Sequence, residues 1–272
     1  LPELSDVRVA KSPNGDGTWE TESVNHPTTI RELMSHTGGF TYFPPIGRGP
    51  IAQAYVEAGI GGDATLAESM PRLKDIPLDY QPGSKWVYSI SVDIQGYLIE
   101  KLSGQTLDAF FKERIFEPLE MKDTAFFVSP DKSHRLSRMY MPSNGALLRT
   151  DNFPGSLGGS FTEKPVFLAG GHGLTSTASD YMKFAQMHLN KGVLNGTRIL
   201  SEEAIHLMRG NQLPEGVAEI GQPYPGNVFG LDFAIVKDSE VFQKAPIGTH
   251  WWWGIAGSWF WIDPVNETVF IG

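Results

Sequence analysis

Tyr88 is the residue whose type and setting point most directly to chemistry. It stands in Pro82-Gly83-Ser84-Lys85-Trp86-Val87-Tyr88-Ser89-Ile90, where a Pro-Gly turn leads into a short tight segment and an apolar, helix-like run follows. A phenol titrates near 10 in water, so it serves as a base at neutral pH only when a neighbouring cation lowers that value. A serine nucleophile, in turn, is weak without an adjacent base. The chain has one Ser-x-x-Lys spacing, Ser129-Pro130-Asp131-Lys132. It follows Phe126-Phe127-Val128, precedes a polar stretch and reads as a surface turn. There is no Gly-x-Ser-x-Gly elbow and no His-Glu-x-x-His helix. No metal or organic cofactor is therefore expected. Gly170-Gly171-His172-Gly173 lacks the following Lys-Ser/Thr of a phosphate loop. His36 could be mistaken for a catalytic base; His172 reads as a packing residue in a glycine-rich loop that could border a cleft, and His250 as a candidate for a cleft rim.

The elements that would position these residues follow from local signals. Residues 11–27 are polar and rich in Asn, Gly and Asp, and read as a loop. Thr28 or Thr29, with Glu32, opens a short helix that ends at His36-Thr37-Gly38-Gly39, the glycines supplying left-handed dihedrals. Pro44, Pro45, Gly47, Gly49 and Pro50 make 41–50 a rigid irregular loop. Leu66, Met70 and Leu73 fall at helical spacing within 63–75. Residues 92–102 are amphipathic and stop at Gly104, and Thr106 caps a helix over 107–115. Residues 129–165 read as loop-rich. Thr177 or Ser179 starts a helix over 180–190, and Ser201 starts another through Met208. Residues 229–236, 258–262 and 268–271 read as strands, the last two joined as a hairpin by Asp263-Pro264-Val265-Asn266-Glu267. The expected fold is α+β: a mostly helical region over about 81–215 and sheet strands over about 226–272, in one domain spanning 1–272.

Hydrophobic content of 40% and charged content of 19% describe a globular chain, and 272 residues can bury a sizeable core. A net charge of −9 with no dense Lys/Arg run argues against nucleic acid or an anionic membrane as partner. No apolar run approaches a membrane span. The absence of cysteine excludes disulfides and thiolate metal sites. The chain opens on Leu1-Pro2-Glu3-Leu4 and stops on the apolar run Thr268-Val269-Phe270-Ile271-Gly272, and so reads as truncated at both ends. Oligomeric state and compartment stay open.

Five phrases in order carry a resemblance. They are Thr29-Ile30-Arg31-Glu32-Leu33-Met34-Ser35-His36-Thr37-Gly38-Gly39, the segment from Pro82 to Ser89, Ile115-Phe116-Glu117-Pro118-Leu119-Glu120-Met121-Lys122-Asp123-Thr124, Gly170-Gly171-His172-Gly173-Leu174-Thr175-Ser176-Thr177-Ala178-Ser179-Asp180-Tyr181, and Trp251-Trp252-Trp253-Gly254-Ile255-Ala256-Gly257-Ser258-Trp259-Phe260-Trp261-Ile262-Asp263-Pro264. Together they resemble the class C β-lactamase and penicillin-binding-protein group of serine hydrolases, and family VIII carboxylesterases most of all.

The resemblance implies a β-lactamase/transpeptidase-like fold, an antiparallel sheet flanked by helices, and an acyl-enzyme mechanism on a small-molecule ester. It implies Tyr88 as the base and a Ser-x-x-Lys nucleophile helix upstream of Leu1. Ile90 stands where the family's Tyr-x-Asn motif has its amide, and Trp252-Trp253-Gly254 stands where β-lactamases have Lys-Thr-Gly. Both departures favour an esterase over a β-lactamase. The resemblance further implies that Trp252 and Gly254 shape the acyl cleft, that the Ile255 N–H is an oxyanion donor and that His36 is structural. Trp259 and Trp261 read as core. A D-aminopeptidase, D,D-peptidase or weak β-lactamase is an alternative, as is a non-catalytic ligand-binding protein on the same scaffold.

Overall fold

The first element is held by polar pairs. Val9–Pro13 (β1) runs antiparallel to Trp19–Glu22 (β2), with Val9 opposite Glu22. Lys11 and Glu20 pair across it at 3.0 Å. This hairpin corrects the loop expected over 11–27; both faces are largely polar, so no apolar alternation marks it. The computed structural model describes residues 1–15, 17–150 and 160–272.

Thr29 caps Ile30–Met34 (α1) with a complete capping box through Glu32. The residue that leaves this helix in the left-handed region is His36 (φ 56°), ahead of Gly39 (φ 93°). Pro50–Glu57 (α2) follows the irregular loop. Leu66–Ser69 (α3) carries a second capping box, Thr65 with Glu68, and continues as a 3-10 turn over Met70–Asp75. Ser91–Ser103 (α4) is the longest helix among the described residues. Leu107–Phe111 (α5) runs into a π turn over Lys112–Phe116, shown by Glu117 N–H to Lys112 C=O at 2.9 Å. The helix expected through 115 is thus widened in its second half, and Phe111 and Phe116 meet at 6.0 Å between ring centroids.

Met139–Ser143 (β3) and Ala146–Thr150 (β4) form a hairpin inside the stretch read as loop-rich. Within that stretch, 151–159 lie outside the described residues, as does Asp16 in the first hairpin. Thr177 caps Ala178–Leu189 (α6), and a small hairpin of Val193–Leu194 (β5) and Thr197–Arg198 (β6) follows. Ser201 caps Glu202–Met208 (α7).

The remaining strands make one antiparallel sheet. Asn227–Phe229 (β7), Ala234–Val236 (β8), His250–Trp253 (β9), Trp259–Asp263 (β10) and Thr268–Ile271 (β11) are ordered β11-β10-β9-β8-β7. The single strand expected over 229–236 is instead the β7–β8 hairpin, turned at Asp232 (φ 61°). An apolar run uniform enough to look like one strand conceals the turn. The fold is therefore α+β, as the element pattern implies.

Two apolar bodies organise it. Ile90, Ile94 and Tyr97 around α4 pack with Leu33, Tyr42, Phe43, Leu66 and Leu107. Ala185 of α6 packs on Phe233, Phe260 and Ile262 of the sheet. Burying a side chain the size of Ile94 contributes about 1.5–3 kcal/mol. No helix among the described residues is long and apolar enough to cross a membrane.

Candidate functional site

The tyrosine segment is fixed by the loop that ends α1. Gly83 N–H donates to Thr37 C=O at 2.8 Å, Val87 N–H to His36 C=O at 2.9 Å, and Ile90 N–H to Thr41 C=O at 3.0 Å. Ser89 N–H donates to His36 Nδ1 at 3.1 Å. Two phrases 50 residues apart in the chain are thereby stitched into one unit. His36 is structural as expected; burial pushes its imidazole down to about 3, so it is neutral.

Tyr88 is half-buried between three rings. Its centroid lies 4.8 Å from His36, 5.2 Å from Trp252 and 5.4 Å from Tyr42, the last nearly parallel at 10°. Burial pushes its phenol up to about 12, opposed by the Trp252 indole. The Tyr42 phenol is raised well above its ordinary value, by burial first and then by Asp93 and Tyr88. His172 approaches the Tyr42 hydroxyl through Nδ1 at 3.5 Å, and burial lowers it to about 4. Two acids lie behind this cluster. Asp93, in the first turn of α4, is pushed up to about 6 by burial, against backbone hydrogen bonds from Gly171 and Gly170. Asp232, in the β7–β8 turn, is pushed up to about 7 by burial, against Gln95, which donates at 3.1 Å.

Tyr88, Trp252, Gly254 and Ile255 border one cleft of about 680 Å³. Its other walls are the 170–174 loop, Phe111 and Phe116 near the π turn, and Tyr181 and Phe184 of α6. Asp, Glu, Lys and Arg are absent from its lining among the described residues. Gly254 begins the β9–β10 turn, and its N–H donates to Ser258 C=O at 2.7 Å. A Cβ there would stand 2.6 Å from Ser258 Oγ, so a larger residue would displace the Ser258 hydroxyl. No acceptor among the described residues takes the Ile255 N–H, and its side chain is exposed.

The three consecutive tryptophans divide by strand alternation. Trp252 faces Tyr88 and the cleft. Trp251 stacks on Phe242 at 4.9 Å, and its indole N–H donates to Asn227 Oδ1 at 2.9 Å. Trp253 is 40% exposed and sits opposite Trp259, which is 44% exposed, at the cleft mouth. Trp259 is therefore not core, and Trp261 is only half-buried, against Phe270. His250 does not reach a rim. It is fully buried, 6.0 Å from His188 and 5.6 Å from Phe233. It shares a sheet face with Trp252, but it stands two residues further along β9, where His188 of α6 and Phe233 cover it. The Ser129–Lys132 spacing forms a surface 3-10 turn, with Lys132 paired to Asp123 at 2.6 Å.

Tyr42, Asp93 and Asp232 were not singled out by sequence. Asp93 carried a readable signal, an acid between Val92 and Ile94 on the apolar side of an amphipathic helix. Tyr42 and Asp232 come to Tyr88 only through tertiary packing.

Comparison with known proteins gives a consistent result. A family model described as Beta-lactamase matches residues 8–272. The protein Rv1367c of Mycobacterium tuberculosis is 32% identical over 280 residues, covering 99% of this chain and 67% of its own length. Esterase EstB of Burkholderia gladioli is 29% identical over 252 residues, covering 85% of this chain and 61% of EstB. The solved structure of EstCE1, described as a hydrolase with promiscuous acyltransferase activity, superimposes with a TM-score of 0.75 at 22% identity, over all of this chain and 70% of EstCE1. That likeness carries the fold. The chain spans about two thirds of the length of these relatives.

Proposed function

This chain belongs to the Beta-lactamase family, and on that premise we propose that it forms most of a serine hydrolase that cleaves short-chain carboxylic esters through an acyl-enzyme. The observation that carries the reading is the cleft beside Tyr88, which has no charged side chain in its lining. A β-lactam or a C-terminal D-alanyl peptide brings a carboxylate that would find no Lys or Arg among the cleft residues of this chain. A neutral ester requires none. EstB, an esterase, is among the relatives in sequence.

In this reading the serine of a Ser-x-x-Lys motif upstream of Leu1 attacks the ester carbonyl. Its proton passes to the Tyr88 oxygen and then to the departing alkoxide, and an alcohol leaves. Water then attacks the acyl-serine and gives a proton to the same oxygen, which passes it to the departing serine oxygen, so that the carboxylic acid and free serine are released. The Ile255 N–H and the serine's own N–H meet the oxyanion, a contribution of about 3–4 kcal/mol per donor. Gly254 lets the substrate approach the β9–β10 turn, and Trp252 shapes the acyl side. With its phenol near 12, Tyr88 is protonated at neutral pH in this chain. The motif's lysine would supply the cation that brings it into range. Residues 1–272 belong to one catalytic domain, which the nucleophile segment completes.

The same raised phenol favours a second reading, a ligand-binding protein without chemistry. Turnover decides between the readings. The natural polypeptide is expected to cleave p-nitrophenyl butyrate with kcat/KM at least about 10²-fold above nitrocefin, equivalent to about 2.7 kcal/mol of transition-state discrimination. Faster nitrocefin turnover removes the esterase assignment. Saturable binding of both without turnover favours the binding protein.

A further inference from the structure

Asp93 is buried without being compensated. It is 1% exposed; Oδ1 accepts the Gly171 N–H at 3.1 Å, and Oδ2 is buried with no hydrogen-bond partner among the described residues. A carboxylate held this way is expensive to bury, so its surroundings bear on what it does there.

It lies in the first turn of α4, and the 170–173 loop packs directly on that turn. A Cβ on Gly170 would overlap the Val92 carbonyl oxygen. One on Gly171 would stand 3.1 Å from the Tyr42 hydroxyl and 3.6 Å from Asp93 Oδ2. The loop is thus glycine where it meets both the helix and the phenol. It carries His172, which approaches that same hydroxyl, and it forms one wall of the cleft. Tyr42 in turn stacks on Tyr88.

We infer that Asp93 is a positioning residue: by accepting the Gly171 amide proton it clamps the 170–173 wall of the cleft against Tyr42, and through Tyr42 it sets the place of Tyr88. A carboxylate oxygen holds a backbone N–H roughly twice as strongly as a neutral acceptor, which is what a loop with two consecutive glycines needs to stay in one conformation. The clamp is a property of this chain alone. Its effect on turnover rests on the hydrolase reading.

The test is hydrogen–deuterium exchange of Asp93→Ala and Asp93→Asn, with ester kcat and KM of the natural polypeptide measured alongside. Asp93→Ala is expected to speed exchange over 168–175 by about tenfold, the loss of one charge-assisted hydrogen bond, with α7 and β10–β11 unchanged. Asp93→Asn keeps a neutral oxygen acceptor and restores part of the protection, to about threefold faster exchange than the unsubstituted chain. In Asp93→Ala, kcat falls about tenfold or more while KM stays within about threefold, and Asp93→Asn recovers part of the loss. Unchanged exchange at 168–175, equal acceleration along the whole chain, an Asn variant no better than Ala, or faster exchange with kcat untouched would each overturn the inference. If the unsubstituted polypeptide turns over no ester, the hydrolase reading fails while the exchange result still decides the clamp.

Discussion

Tyr88→Phe is expected to lower ester kcat of the natural polypeptide by about 10²–10⁴-fold, the usual range for removing a general base. The substitution isolates the hydroxyl. Phenylalanine keeps the ring among His36, Tyr42 and Trp252, each within 5.4 Å between centroids. The backbone stitches at Val87, Ser89 and Ile90 do not involve the phenol. Stability should therefore change by no more than about 1 kcal/mol, the scale of one net hydrogen bond. KM should move little, because the proton is transferred only on the way to the transition state. Steady-state rates on p-nitrophenyl butyrate, with a urea melt as control, check this. Full activity in the variant would remove Tyr88 from the mechanism.

Acidification is expected to destabilise the fold by about 2.7 kcal/mol per pH unit between roughly pH 6 and pH 4, through proton linkage. Two sets of buried groups oppose each other. Burial depresses His36 to about 3, His188 to about 4 and His250 to about 3. Their stabilisation is complete above the unfolded value near 6.5 and is lost as pH falls toward the folded values. Asp93 and Asp232 are raised to about 6 and about 7. Their stabilisation is complete below the unfolded value near 3.8 and is lost as pH rises through the folded values.

His172 is likewise lowered by burial to about 4. Between pH 6 and 4 the unfolded chain therefore carries four imidazole protons that the folded chain lacks, and the folded chain carries two carboxyl protons that the unfolded chain lacks. The net difference approaches two protons in favour of the unfolded state. Urea unfolding at pH 6 and pH 4.5 measures the slope; equal or greater stability at 4.5 would contradict it. His188→Gln with His250→Gln removes two of the four imidazole protons and leaves two against the two carboxyl protons, so the pH dependence should nearly vanish in the variant. The ring nitrogens of His188 and His250 have no partner among the described residues. Their substitution therefore breaks no hydrogen bond seen here.

Local signals made much of this fold legible. The capping box at Thr29, the helix stop at Gly104, and the hairpin of β10 and β11 are each set by a few neighbouring residues. The first hairpin was hidden because its strands are polar on both faces, so the pairing of Lys11 with Glu20 leaves no period to read. The turn between β7 and β8 was hidden in an apolar run, where Asp232 was the one break. At the site, Tyr88, Trp252, Gly254 and Ile255 were legible as candidates, and the fold places them around one cleft. Tyr42 reaches Tyr88 from the irregular loop at 41–50, a contact no spacing rule contains. His250 shows the opposite failure: it shares a sheet face with Trp252, but proximity in sequence said nothing about the packing of His188 and Phe233 over it.

The account depends most on the nucleophile, and covalent labelling tests it directly. The natural polypeptide would be treated with a fluorophosphonate, and the modified peptide identified by mass spectrometry. The expected result is one adduct, on a serine N-terminal to Leu1 with a lysine three residues after it, and its loss on competition with p-nitrophenyl butyrate. No adduct, or an adduct on a serine within residues 1–272, would contradict the account.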